Sequence, residues 1–195
     1  TAWVRYLGGQ QLWDKIYDQF GLQGFLSGDT GTQAGGWFRN ELTGVADIQG
    51  LRLRTPGLGG QVWGKLGASV TNMAAGEIFA ALQSGTLDAA EFVGPYNDLA
   101  LGFYQIAKNY YFPSFVEPGL ATEIVVDKAK FLALPEDLQE IVRTSAQAAY
   151  DDVASDMYAN DPRALNALVS EHGVTIRRFP DEILEAGAKA SMELI

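Results

Sequence analysis

The sequence has no cysteine, a single histidine and no apolar run that approaches a membrane span. Without cysteine there are no disulfides, thiolate nucleophiles, iron–sulfur clusters or Cys-type zinc sites, and the redox state of the compartment is left open. His172, in Ser170-Glu-His-Gly173 at an expected helix end, suits a helix C-terminus as a cation and offers little to nucleophilic or metal chemistry. The longest apolar stretches, Glu123-Ile-Val-Val-Asp127 and Leu99-Ala-Leu-Gly-Phe103, fall far short of the roughly 20 residues that cross a bilayer. Positive charge is scarce as well: 14 Lys plus Arg against 24 Asp plus Glu gives −10, with no basic cluster longer than Arg177-Arg178. Such a chain repels phosphate backbones and anionic lipid at long range, so the partner list starts with no nucleic acid. An initiating Met and a signal-type apolar segment are also missing, and a processed or excised piece is the expectation.

What remains is ordinary globular material, 195 residues of which 47% are hydrophobic, enough for one large domain or two small ones. Segments of helical period alternate with short apolar runs, an α/β pattern. A helix is expected from Gly8 to Phe20, a strand near 23–27, and a loop or strand edge through Gly28-Asp-Thr-Gly-Thr-Gln-Ala-Gly-Gly36 before Trp37-Phe38 resumes an extended course. Leu51-Arg-Leu-Arg-Thr55 alternates strictly and stops at Pro56-Gly57, which points Arg52 and Arg54 the same way. Helix 60–66, strand 69–71, helix 76–83 and strand 87–92 complete a βαβαβ run. Pro135 opens the longest helix, carried by Leu138, Ile141, Val142, Ala146, Ala149, Val153 and Met157. Asp161-Pro162 is expected to start a new helix, followed by a strand at 174–177 and a helix from Pro180 to Ile195.

Enzyme motifs do not survive inspection. Gly57-Leu-Gly-Gly-Gln-Val62 begins like a dinucleotide fingerprint but has Val where the third glycine belongs. The Gly28–Gly36 run lacks the Gly-Lys-Ser/Thr ending of a phosphate loop, and no Gly-x-Ser-x-Gly elbow exists. Carboxylate chemistry stays open through Asp88 and Glu91 as an acid–base pair.

One constellation is more specific. Gln49-Gly-Leu-Arg-Leu-Arg-Thr-Pro-Gly57, then Gly67-Ala68, then Gly76-Glu-Ile-Phe-Ala-Ala-Leu-Gln-Ser-Gly-Thr-Leu-Asp-Ala-Ala-Glu91 resembles, in order and spacing, the solute-binding proteins of TRAP (tripartite ATP-independent periplasmic) transporters. Gly28-Asp-Thr-Gly-Thr-Gln-Ala-Gly-Gly-Trp-Phe-Arg39, Gly94-Pro-Tyr-Asn-Asp98 and Tyr110-Tyr-Phe-Pro113 look like the branch that binds 2-oxo acids and related small organic acids. The resemblance implies an α/β fold of the two-lobed periplasmic binding protein type, with mixed sheets flanked by helices and a hinge, here lacking much of the N-terminal lobe and the C-terminal helix. It divides the chain into a ligand-binding lobe over 1–90, a hinge crossing with part of the other lobe over 91–130, and a lobe-spanning helix with return helices over 131–195.

By the same resemblance the protein is a receptor and not an enzyme. It would work in the periplasm, bind a small 2-oxo or 2-hydroxy acid without a catalytic cofactor, and deliver it to the TRAP membrane subunits. Arg54 maps to the arginine that grips the ligand carboxylate, a task suited to a bidentate guanidinium. Gln33, Glu91 and the carbonyl of Phe92 map to the set that holds Na+ or Ca2+ beside the ligand, a hard cation with oxygen donors. Trp37, Tyr96 and Asn97 complete the expected ligand site. The residues alone keep other readings open: Arg54 and Glu91 as surface charges on a half-exposed strand, and Trp37, Tyr96, Asn97 and Phe115 as core filling. Phe92 stands where related chains often carry Trp, and Val116 where some carry His. The expected truncation would expose an apolar face and invite a homodimer.

Overall fold

The computed structural model describes residues 2–194 and divides the chain into two compact units, each made of two stretches. One gathers residues 1–31 and 120–158; the other gathers 32–119 and 159–195. The sequence-based division at 90 and 130 follows chain order, whereas these units are knitted by strand pairing between distant segments.

In the first unit, helices α1 (Ala2–Tyr6) and α2 (Gly9–Asp18) precede strand β1 (Leu22–Asp29), which pairs antiparallel with β7 (Ala121–Asp127). A bulge between Leu26 and Gly28 shifts the register. Helix α6 (Lys128–Leu132) follows, capped by the Asp127 carboxylate, which accepts from the Lys130 N–H at 2.9 Å. The core here is small: Leu26, Tyr150 and Ala154, with Val4 and Trp13 against them.

The second unit holds a mixed sheet in the order β4-β3-β5-β2-β6-β8. Its strands are β2 (Gly36–Phe38), β3 (Arg52–Arg54), β4 (Ser69–Thr71), β5 (Ala89–Ala90), β6 (Asn109–Tyr111) and β8 (Thr175–Arg177). β3 lies between β4 and β5, parallel to both, as the βαβαβ reading requires, while β2 runs antiparallel to β5 and β6. The crossovers are α3 (Gly57–Lys65) and α4 (Ala75–Ser84); α5 (Pro95–Leu101) and α8 (Asp181–Met192) add to the layers. Strand alternation sends neighbouring residues to two cores. Phe38, Leu53, Ala89 and Tyr111 pack with Val62, Trp63 and Ile183; Trp37, Ala90 and Tyr110 pack with Ile78, Leu82, Phe103 and Leu168. Both faces of the sheet are thus covered by helices.

One expectation fails. Helix α7 runs from Glu136 to Ser170 without interruption, so Asp161-Pro162 lies inside it rather than opening a new helix. The proline ring removes one donor from the ladder, and the helix continues because Ala164 and Leu168 keep the buried stripe going beyond it. The terminal helix α8 ends at Met192, and the expected end at Ile195 lies outside the described residues. No helix among the described residues is long and apolar enough to cross a membrane.

Candidate functional site

The parallel strands β4, β3 and β5 end together, and the candidate residues collect at their carboxyl ends, where open α/β sheets leave room for ligands. Arg54 is the last residue of β3, stopped by Pro56 and by Gly57 at φ 60°, a left-handed start to α3 that favours glycine. The backbone beside it is fixed by the Glu91 N–H, which donates to the Arg54 carbonyl at 2.9 Å. The side chain is 8% exposed. Its Nη1 donates to the Glu91 carbonyl at 2.7 Å and its Nε to the Met73 carbonyl at 3.3 Å, while the guanidinium lies 5.5 Å from the centre of the Phe92 ring. Among the described residues no carboxylate is hydrogen-bonded to it. Burial lowers its pKa, opposed by the charges of Glu91, Glu117 and Asp98.

Glu91 sits just past β5 and is 1% exposed. Oε2 accepts from the Thr55 hydroxyl at 3.1 Å, whereas Oε1 is buried without a hydrogen-bond partner among the described residues. Burial, reinforced by the charge of Glu117, pushes the carboxyl up to about 7. A buried carboxylate oxygen without a donor is costly, and a cation beside it relieves that cost. Gln33, also 1% exposed, enters from the glycine-rich run: the Ala34 N–H donates to the Val93 carbonyl at 2.9 Å, laying that run along the segment that follows Glu91. Gly36, at φ 116°, is required there, since a side chain would meet the Ala90 carbonyl at 2.8 Å. Among the described residues no group of three His, Cys, Asp or Glu side chains is arranged for a metal, so a cation at Glu91 would depend on amide and carbonyl oxygens as well. That donor chemistry fits sodium or calcium.

Phe92, Tyr96 and Asn97 line one open cavity of about 350 Å³ together with Ala100 and Leu101. Asn97 Oδ1 is buried without a hydrogen-bond partner among the described residues. The helix carrying Tyr96 and Asn97 is held by Asp161, whose carboxylate accepts from the Tyr96 N–H at 3.0 Å.

Trp37 is placed differently from the expected ligand wall: it is fully buried in the core, stacked on Tyr110 at 3.9 Å. Its indole N–H donates to Asp98 at 2.8 Å, and the Tyr110 hydroxyl donates to the same oxygen at 2.9 Å. Phe115 is likewise packed against Trp63 and Phe179. Arg52, at the other end of β3, is taken up by Asp88, which binds its Nε at 2.7 Å and also its Nη2. Asp88 is thus engaged by Arg52 and Glu91 by Thr55, so the two carboxyls have separate partners. His172 stacks on Tyr104 at 4.1 Å, a packing role. Three residues that sequence reasoning passed over belong to this region: Thr55, Asp98 and Glu117. Thr55 and Asp98 carried a local signal, since they fall within the Gln49–Gly57 and Gly94–Asp98 elements, whereas Glu117 carried none.

The family model for bacterial extracellular solute-binding proteins, family 7 (DctP), matches residues 3–195. The chain belongs to this family. A monocarboxylate 2-oxoacid-binding periplasmic protein of a Nostoc species is 39% identical over 99% of the chain and 53% of its own length. The family 7 chain thus spans about half the length of the curated relatives it matches. Among solved structures, a TRAP periplasmic solute-binding protein of Pseudoalteromonas atlantica with bound sodium and pyruvate is 41% identical, with a TM-score of 0.92. Its counterpart from Colwellia psychrerythraea, with bound calcium and pyruvate, is 42% identical with a TM-score of 0.93. Each match covers 99% of this chain and 59% of the other. The fold is accordingly the α/β periplasmic binding protein fold, and the family is one of binding proteins rather than enzymes.

Proposed function

We propose that this protein is the periplasmic receptor of a TRAP transporter and binds a small carboxylate, a 2-oxo or 2-hydroxy acid, for delivery to the membrane subunits. Arg54 takes the ligand carboxylate. Gln33, Glu91 and the Phe92 carbonyl hold a sodium or calcium ion beside it, and Phe92, Tyr96 and Asn97 form a wall, with Trp37 supporting them from the core. The observation that carries the reading is the state of Arg54: nearly buried, anchored by two backbone carbonyls, and hydrogen-bonded to no carboxylate among the described residues. A guanidinium held this way keeps its charge available for a bidentate anion. The pyruvate, sodium and calcium of the 41–42% identical structures are of the chemistry this arrangement suits.

Calorimetry with pyruvate, 2-oxobutyrate and lactate, each with and without sodium or calcium, tests it. Binding heat with chemically unchanged ligand is the expected result. Consumption of the ligand, or no heat with any of the acids, would end the receptor reading.

A further inference from the structure

Glu117 belongs to none of the sequence elements that single out the site, yet the fold carries its segment to Gln33 and to Thr55, whose hydroxyl donates to Glu91. The segment 114–118 is fastened to Gln33 at both ends: the Ser114 N–H donates to the Gln33 carbonyl at 2.9 Å, and the Gln33 N–H donates to the Pro118 carbonyl at 3.1 Å. On its other flank, Val116 and the Thr55 hydroxyl stand together over Gly59, where an added Cβ would meet them at 3.2 and 3.5 Å. Thr55 is the residue that donates to Glu91. Glu117 sits between these two anchors, its own N–H donating to Ser114 Oγ at 3.1 Å. Of the neighbouring charges, that of Glu117 acts most strongly on Glu91. Arg54 feels it too, but the hydrogen bonds of Arg54 go to backbone carbonyls and leave Glu117 unclaimed by it.

We infer that Glu117 is a specificity-determining residue of the cation site and turns its preference from sodium toward calcium. The inference rests on the receptor reading above. The second observation pointing to a ligand here is Glu91 Oε1, buried and without a hydrogen-bond partner among the described residues. Glu91, Glu117 and a ligand carboxylate bring three negative charges against the one positive charge of Arg54. A divalent ion offsets more of that negative charge than a monovalent ion does. The charge of Asp98 also reaches Glu91 and Arg54, but it is the same in every variant, so the comparison isolates Glu117. Coulomb energy scales with ionic charge, so removing one carboxylate weakens a divalent ion by twice the free energy it removes from a monovalent one. Charge count is also how proteins tune calcium affinity.

The test is calorimetric titration of the protein with calcium chloride and with sodium chloride, in choline-based buffer containing pyruvate. Wild type, Glu117→Gln and Glu117→Asp are compared, with circular dichroism to verify folding. Glu117→Gln should lose about tenfold in calcium affinity and only about threefold in sodium affinity, the ratio that a doubled charge dictates. Glu117→Asp should keep most of the calcium preference. Equal losses for the two ions, or unchanged calcium affinity, overturn the inference. Wild-type pyruvate binding that is indifferent to both ions overturns it and removes the cation from the receptor reading, leaving the carboxylate grip; no pyruvate binding in any salt removes both.

Discussion

The two ends of β3 carry the same side chain in opposite circumstances. At the outer end, Arg52 is half in solvent and its fork is filled by Asp88, whose carboxyl is in turn held below the usual carboxylate range by that pairing. At the inner end, Arg54 is 8% exposed and, among the described residues, hydrogen-bonded only to carbonyls. The partner decides what each can do. A guanidinium closed by a carboxylate has neither charge nor geometry left for an incoming anion, whereas one braced by neutral carbonyls retains both. The carbonyls are available at the inner end because the parallel strands terminate there and the chain turns away, leaving the backbone of Met73 and Glu91 facing the side chain.

The sharpest way to break this comparison is to remove the inner arginine. Arg54→Ala should weaken pyruvate affinity by about a hundredfold or more, the loss expected for two charge-assisted hydrogen bonds. Arg54→Lys should recover only part of it, since a point charge lacks the planar fork. Calorimetry measures both, and a fully competent lysine variant would show that charge alone is being read.

A smaller effect is expected beneath the same end. Asp98 is fully buried and accepts from Trp37, Tyr110 and the Val93 N–H, and burial raises its carboxyl to about 6. Because the folded protein holds that proton more tightly than the unfolded chain, whose carboxyl titrates near 3.8, stability is greatest below that lower value and falls as pH rises through about 6. Asp98→Asn should abolish this part of the slope. It should also cost roughly 1–3 kcal/mol at neutral pH, because an amide brings donors of its own to a site already filled with donors. Urea midpoints between pH 4 and 7 check both statements, and an unchanged slope would assign the pH dependence elsewhere.

How much of this was legible in the sequence depends on whether the signal is local. The βαβαβ run is written in alternation and helical spacing, and β3, α3, β4 and α4 lie close to where those patterns put them. Strand β7 was not read, since its residues are mostly exposed and its partner β1 lies about a hundred positions earlier. The break expected at Pro162 failed because tertiary packing on either side of a proline outweighs one lost hydrogen bond. Alternation gave Arg52 and Arg54 one direction and could not tell a paired arginine from an unpaired one; only the resemblance separated them. Trp37 was balanced between wall and core, and the decision rests with Asp98 and Tyr110, which no local pattern connects to it. Glu117 is invisible to local patterns for the same reason: its segment is brought to Gln33 by backbone bonds between residues about eighty positions apart.

The smallest expected effect lies at the outer end. Arg52→Ala removes an exposed pair in which Asp88 is also anchored by the Arg52 N–H at 3.1 Å, a bond the substitution keeps. Exposed pairs of this kind contribute little, because solvent screens the charges and two side chains must be ordered to make the contact. Pyruvate affinity should therefore stay within about twofold of wild type, and raising the salt concentration should narrow even that difference. Salt dependence is the discriminating measurement. If Arg52→Ala weakened binding as much as Arg54→Ala, and high salt did not restore it, the outer arginine would have to reach the ligand itself, and the contrast between a filled and an open guanidinium would no longer explain which of the two is the grip.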